Sequence, residues 1–454
     1  MDDDQKRAVE LATTGISFFL TGAGGTGKSY VIRSIVEALH SIGRDCAQTA
    51  MTGCAALLLG KGAKTLHSWA GIGLGKEPIA ALLIKIRKSS KAKKNWLAAD
   101  ALIIDEVSML TPDLLDKMDE IGRKIRKCAD KPFGGLQVIL VGDLFQLPPI
   151  NKDGDQKFVF ESEVWKTSIK DIVNLRTIHR QSDTVFLKIL DEARRGELSE
   201  ESIEILEKRK TNEWKRLEIK PTLLFTRKDA VEEINMGQLK KCPGEDVVYK
   251  VKTVYTPAAF AVKPTDQEVQ REVERMDKVC PYVPELRLRV GAQVMLLTNK
   301  HAAHGLVNGS RGIVEKICEG PEPFPMVKFR NGEVFIIESS SWASDEIDGF
   351  NREQIPLSLA YAVTIHKAQG ATLDCALIDI GNNTFEYGQA YVALSRVRSL
   401  DCLYIWDLNP SAFRVHPKVK AFFDYSPVTT SDQTSDKSAA CIDESDCVSD
   451  DLLE

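Results

Sequence analysis

The sequence predicts an α/β protein made of two parallel-sheet domains, with a small antiparallel barrel inserted into the second. Two observations carry that prediction. From Ile16 to about Ile150, short apolar runs alternate with stretches of helical period, the pattern of a parallel sheet flanked by helices. From about Leu286 to Glu338 the texture changes to short strand-like runs punctuated by Asn308-Gly309 and Asn331-Gly332, pairs suited to hairpin turns. A length of 454 residues accommodates two core-forming domains and a small third. The expected boundaries are 1–160 for the first domain, 161–285 with 346–425 for the second, 286–345 for the barrel, and 426–454 for a tail.

In chain order, Ile16–Leu20, Ala101–Ile104 and Val138–Val141 read as buried strands. Between them, Val31, Ile32, Ile35, Val36 and Leu39 recur at helical spacing, and Leu114–Ile125 shows the same period. The pattern breaks at Asn151–Asp155, a turn-rich loop after Pro148-Pro149. A second α/β segment begins near Trp165, is interrupted by the strands Gln293–Leu297, Gly312–Ile317, Met326–Phe329 and Val334–Ile337, and resumes from Leu357 to about Phe422. Beyond Ser426 the chain is rich in Ser, Thr and Asp with few aromatics, so a disordered acidic tail is expected.

Composition narrows the classes. Hydrophobic residues at 43% and charged residues at 28% speak against wholesale disorder, and no apolar run approaches the ~18 residues of a transmembrane helix. The acidic start Met-Asp-Asp-Asp-Gln is unlike a secretory or mitochondrial presequence. Ten cysteines without a Cys-x-x-Cys pair, with Cys46, Cys54, Cys128, Cys375 and Cys402 mostly among apolar neighbours, fit reduced thiols in an intracellular compartment. His301 and His304 lack a third metal ligand and read as loop residues of the barrel. The net charge of −5 is unevenly placed: residues 427–454 hold eight acids against Lys437, which leaves the rest slightly positive. Two basic clusters stand out there, Lys85, Arg87, Lys88, Lys91, Lys93 and Lys94, and Arg123, Lys124, Arg126, Lys127 and Lys131. Each reads equally as a phosphate contact or as solvated surface.

The chemistry begins at Gly22-Ala23-Gly24-Gly25-Thr26-Gly27-Lys28-Ser29, a G-x-x-x-x-G-K-S match between a predicted strand and a predicted helix. Glycines let backbone N–H groups close around phosphates, and the helix amino terminus favours their charge. Lys28 reaches the outer phosphates and Ser29 holds magnesium. Asp105-Glu106, at the end of an apolar strand, supplies the acids a nucleotide hydrolase needs: Asp105 to support magnesium, Glu106 to position and deprotonate water. Gly142-Asp143-Leu144-Phe145-Gln146 places the Gln146 amide to sense the γ-phosphate. The guanine-reading Asn-Lys-x-Asp element is absent, so ATP is the expected nucleotide.

From Met1 to about Trp406 the chain resembles the petite-integration-frequency (Pif) helicases of superfamily one, relatives of the RecD helicases. The resemblance rests on Thr52-Gly-Cys-Ala-Ala56, Thr65-Leu-His-Ser-Trp-Ala-Gly-Ile-Gly73, Asp105-Glu-Val-Ser-Met-Leu110, Phe133-Gly-Gly-Leu-Gln137, Ile365-His-Lys-Ala-Gln-Gly370 and Tyr391-Val-Ala-Leu-Ser-Arg396. It implies two RecA-like domains, with Gln5 on the adenine edge and Arg180 and Arg396 reaching across the cleft as arginine fingers. It also implies DNA contacts at Thr52, Gly53, Thr65, His67, Ser68, His366, Lys367, Gln389, Tyr391 and Ser395, with Trp69 packing or stacking nearby and a wedge near residues 54–75. The implied activity is ATP-dependent unwinding, 5′ to 3′, by a monomer acting on single-stranded and forked DNA in genome maintenance, in the nucleus or else the mitochondrion. The acidic tail is a candidate site for a protein partner. The alternatives are a single-strand translocase, an RNA-remodelling ATPase, or an ATP-gated binding module. Two positions depart from the family pattern: Met1 stands where it has Leu, and His179 where it usually has Phe.

Overall fold

The computed structural model describes residues 1–424 apart from 61, 150–155, 180–182, 227, 257–263, 321, 345 and 348. The acidic tail 426–454 and Arg180 therefore lie outside the described residues.

The first domain is a six-stranded parallel sheet in the order Lys64–Thr65, Cys46–Ala50, Ala101–Asp105, Gln137–Gly142, Phe18–Gly22, Asp171–Leu175. Its central strands are apolar along most of their length because both faces are covered, and the two-residue repeat of a strand sorts their side chains between two cores. Phe18, Leu20, Ile103, Ile139 and Val141 face the helices Asp3–Thr13 and Lys28–Ser41. Phe19, Leu102, Ile104, Val138 and Leu140 face Ile79–Lys88, Ser90–Ala98 and Pro112–Ile125. The strand Asp171–Leu175, beyond the expected boundary at residue 160, pairs with Phe18–Gly22 and so belongs to this sheet. Trp69 is buried against Trp96, ring centroids 5.0 Å apart, which makes it a packing residue.

The second domain is a four-stranded parallel sheet in the order Ala362–Thr364, Thr222–Phe225, Ala376–Ile380, Leu403–Leu408. Its core gathers the helices Thr184–Arg195, Ile365–Ala368 and Gln389–Leu394. The inserted β unit is larger than 286–345. A five-stranded antiparallel sheet runs Val334–Ile336, Pro325–Phe329, Arg311–Ile317, Gln293–Leu296, Leu357–Leu359. Beside it, Lys252–Tyr255 pairs with Phe350–Gln354, and Val247–Lys250 with Glu285–Leu288. The last segment corrects a further boundary. Phe413 belongs to the second core, but the helix Pro417–Asp424 returns to the first domain, where Phe422 stacks on Phe160 at 4.4 Å and Phe423 on Phe145 at 4.8 Å. Among the described residues no helix is long and apolar enough to cross a membrane.

Candidate nucleotide site and interdomain cleft

The phosphate loop leaves the buried strand Phe18–Gly22 and enters the helix Lys28–Ser41 through Gly27, whose φ of 87° is one that a side chain resists. A Cβ there would also come within 3.0 Å of the Gln5 amide nitrogen. Lys28 Nζ donates to the carbonyls of Gly22 at 2.8 Å and Ala23 at 3.0 Å. Burial pushes its pKa down, while the carboxylates of Asp143, Glu106 and Asp105 pull the other way, which places three acids around one cation. Thr26 Oγ1 donates to the Ala23 carbonyl, and Ser29 is exposed on the first helical turn. Gln5 is fixed by a capping box with Asp2, and its amide nitrogen lies 3.2 Å from His179 Nε2. The His179 N–H in turn donates to the Gly25 carbonyl at 2.9 Å.

Across the sheet, Ala101–Asp105 delivers the acid pair to the same edge. Asp105 accepts the N–H of Glu106 at 2.8 Å, and burial, with the neighbouring Glu106 charge, pushes its pKa up to about 7 against the pull of Lys28. Glu106 sits in the left-handed region at φ 57°, a conformation few non-glycine residues adopt. Its carboxylate accepts from Gln369 Nε2 of the second domain at 3.0 Å. Gln146 is buried and its Oε1 has no hydrogen-bond partner among the described residues.

Sequence reading missed the centre of the seam. Asp143 is fully buried, and Arg194, from the second-domain helix Thr184–Arg195, donates to it from Nη2 at 2.9 Å and from Nε at 3.1 Å. Burial raises the Asp143 pKa, but the Arg194 charge and hydrogen bond, with Lys28 and Tyr391, outweigh it and hold the carboxyl below its usual range. Tyr391 donates its hydroxyl proton to Asp143 Oδ2 and accepts the N–H of Gly24, both at 3.0 Å. Arg194 and Arg195 are adjacent in sequence, yet Arg195 pairs with Asp191 at the surface; only the phase of the helix separates them.

Several expected roles are corrected. The Arg396 guanidinium is buried and donates to the carbonyls of Val392, Ala368 and Ala371 and to Ser395 Oγ, bonds that tie the second domain together. Gln389, Tyr391 and Ser395 are buried and offer no surface to DNA. Gln389 accepts the N–H of Phe385, and Ser395 donates to Val392.

The remaining expected contacts lie on short helices and turns. Thr52 and Thr65 cap the helices Gly53–Leu59 and Leu66–Ala70 by accepting from Ala55 and Ser68, and Gly53 opens the first of them. His67 and His366 are half-buried, and burial lowers both imidazole pKa values. Ser68 Oγ is buried without a partner among the described residues. Lys367 is exposed and close enough to Cys54 for its charge to oppose the burial that raises the thiol. A Cβ on Gly370 would touch Leu58 at 3.6 Å, so the helix Gly53–Leu59 and the turn 365–371 meet across the domains.

The basic clusters differ. Lys85, Arg87, Lys88, Lys93 and Lys94 are exposed, and none enters an ion pair among the described residues. In the other cluster, Arg123 pairs with Asp119, Lys124 with Glu120, and Arg126 donates to the carbonyls of Gly134, Trp96 and Ala99.

Comparison with known proteins agrees with this geometry. The family description "PIF1-like helicase" matches residues 1–204, and "DNA helicase Pif1, 2B domain" matches residues 274–317, within the inserted β unit. The human ATP-dependent DNA helicase PIF1 is 36% identical over 426 residues, 93% of this chain; the chain spans 63% of that relative's length. The crystal structure of Pif1 helicase from Candida albicans superposes with a TM-score of 0.76 at 33% identity, covering 93% of this chain and 99% of that one. Bacteroides Pif1 bound to single-stranded DNA superposes with a TM-score of 0.64 at 29% identity, covering 93% and 96%. With two parallel-sheet domains, a phosphate loop and an acid pair at their seam, and this similarity along almost its whole length, the chain belongs to the PIF1-like helicase family.

Proposed function

We propose that the chain is an ATP-driven DNA helicase that moves 5′ to 3′ on single-stranded DNA, as a monomer, and opens duplex or forked DNA in genome maintenance, in the nucleus or else the mitochondrion. The observation that carries the reading is the convergence of Lys28, Asp105 and Glu106 on one sheet edge, with Gln369 of the second domain bonded to Glu106. The turn that holds Gln369 also holds His366 and Lys367, so what happens at Glu106 is mechanically tied to the cleft wall. Glu106 orients and deprotonates the attacking water, and Lys28 with the loop amides takes the phosphate charge. Magnesium fits the donor set. Asp105 is a buried carboxyl beside a second acid, its charge opposed by Lys28, and a divalent cation shared with Ser29 would relieve the repulsion between the two acids. Such a cation neutralises charge on the transferring phosphoryl group.

Strand grip falls to the facing elements Thr52–Leu59, Thr65–Ser68 and 365–370. It is expected to rest on phosphate contact and thus to weaken with salt. The family likeness supports the DNA reading, and Bacteroides Pif1 has been seen with single-stranded DNA on the same fold. The test is ATP turnover and unwinding on duplexes carrying a 5′ or a 3′ single-stranded tail, with Lys28→Ala as control. Unwinding from the 5′ tail alone, lost in the variant, is the expected result. Stimulated hydrolysis without unwinding would mean a translocase, and stimulation by RNA in place of DNA would overturn the substrate assignment.

A further inference from the structure

The Gly24 N–H is one of the amides a phosphate loop offers to its nucleotide, and here its acceptor is a protein oxygen, Tyr391 Oη, at 3.0 Å. The contact is built, not incidental. Tyr391 is 2% exposed, its hydroxyl proton is held by Asp143 at 3.0 Å, and Asp143 is locked by Arg194. Ser395, one turn on, stands 3.6 Å from where a Cβ on Gly24 would be, so this second-domain helix lies directly on the loop. Burial keeps the Tyr391 hydroxyl protonated and therefore a donor to Asp143.

Resting on the ATP reading above, we propose that the Tyr391 hydroxyl stands in for a phosphate oxygen on the Gly24 amide, so that nucleotide and Tyr391 compete for the loop. A phosphate that takes the Gly24 N–H removes the tie between the helix Gln389–Leu394 and the phosphate loop, while the Tyr391 bond to Asp143 stays in place. Arg396, at the end of that helix, grips the carbonyls of Ala368 and Ala371. Loss of that tie is thereby passed to the turn carrying His366, Lys367 and Gln369. Loop occupancy is read by one hydroxyl and delivered to the wall facing the DNA cleft.

The experiment uses the full chain and its Tyr391→Phe variant, which keeps the ring and removes only the hydroxyl. Affinity for a fluorescent methylanthraniloyl-ADP is measured by titration, and thermal unfolding is followed with and without saturating ADP. With the competitor gone, the variant should bind the probe about two- to tenfold tighter, the range one hydrogen bond spans. Its Tm should fall without nucleotide and fall distinctly less with it. Unchanged or weaker binding, or an equal drop in Tm under both conditions, would make Tyr391 a packing residue and overturn the inference. Failure of the unsubstituted chain to bind the probe at all would instead remove the ATP reading, and this inference with it.

Discussion

The two walls of the interdomain seam commit their polar groups differently. On the first-domain wall, Lys28 opens a helix, Asp105 and Glu106 sit at the tip of a strand, and each bonds to its own loop or to a single residue opposite. On the second-domain wall, Arg396, Gln389 and Ser395 are buried and bonded within their own domain, while Tyr391, Gln369, Arg194 and Glu386 bond across to the first. The first wall is chemistry set on a rigid edge. The second is a framework whose few crossing residues sense the first. Groups that hydrogen-bond only to their own loop can change partner cheaply, whereas a buried guanidinium holding several carbonyls cannot.

The sharpest way to break this contrast is at the charged pair between the walls. Asp143→Asn leaves Arg194 without its counter-charge in a buried site, and a loss of about 3–5 kcal/mol in urea unfolding is expected. Arg195→Ala, one residue along but at the surface, should cost under about 1 kcal/mol. Next comes Lys28→Ala, expected to lower ATP turnover by roughly 10²–10³-fold, the usual consequence of removing one group that stabilises developing charge. Its effect on stability should depend on pH. The folded pKa of Lys28 lies below its unfolded value, so the folded state carries a burial cost for the charged lysine at neutral pH. That cost is relieved as pH rises through the window between the two values. The stability of the unsubstituted protein relative to the variant should therefore rise as pH climbs through that window.

Arg396→Lys separates framework from chemistry. It should lower stability by about 1–3 kcal/mol through lost carbonyl bonds while retaining turnover at temperatures where it is folded. A collapse of turnover with an unchanged Tm would restore the arginine-finger role and erase the difference between the walls. The smallest effect is expected at the basic clusters. Replacing Lys88, Lys93 and Lys94 with Ser should shift stability by no more than about 0.5 kcal/mol. The same change should flatten the salt dependence of DNA binding in fluorescence anisotropy, and Lys124→Ser, whose charge is already paired, should not.

How far the sequence could be read follows the same division. The phosphate loop and acid pair were legible because a strand end, a glycine-rich turn and a helix start fix where their side chains go. Short helices carry no such information. In the six residues Gln389–Leu394 every side chain is buried, so no polar face marks which way Tyr391 points, and a DNA contact was as natural an expectation as the loop contact observed. Arg194 was invisible because its partner lies 51 positions earlier in another domain. The domain boundaries slipped where chain order and sheet membership diverge. Asp171–Leu175 follows a loop that looked like a border, and Pro417–Asp424 follows a strand of the other domain.

That returning helix has a mechanical meaning. The chain passes from the first domain to the second between Leu175 and Phe186, then comes back between Phe413 and Val419. Two bodies joined by a single tether can swivel about it; two bodies joined at two points share an axis. Twist about the tether is suppressed, and the remaining easy motion is a rocking of one sheet against the other around the line between the crossings. If the proposed helicase reading holds, one chemical event would be converted into one displacement more faithfully because the path of the backbone removes the other degrees of freedom.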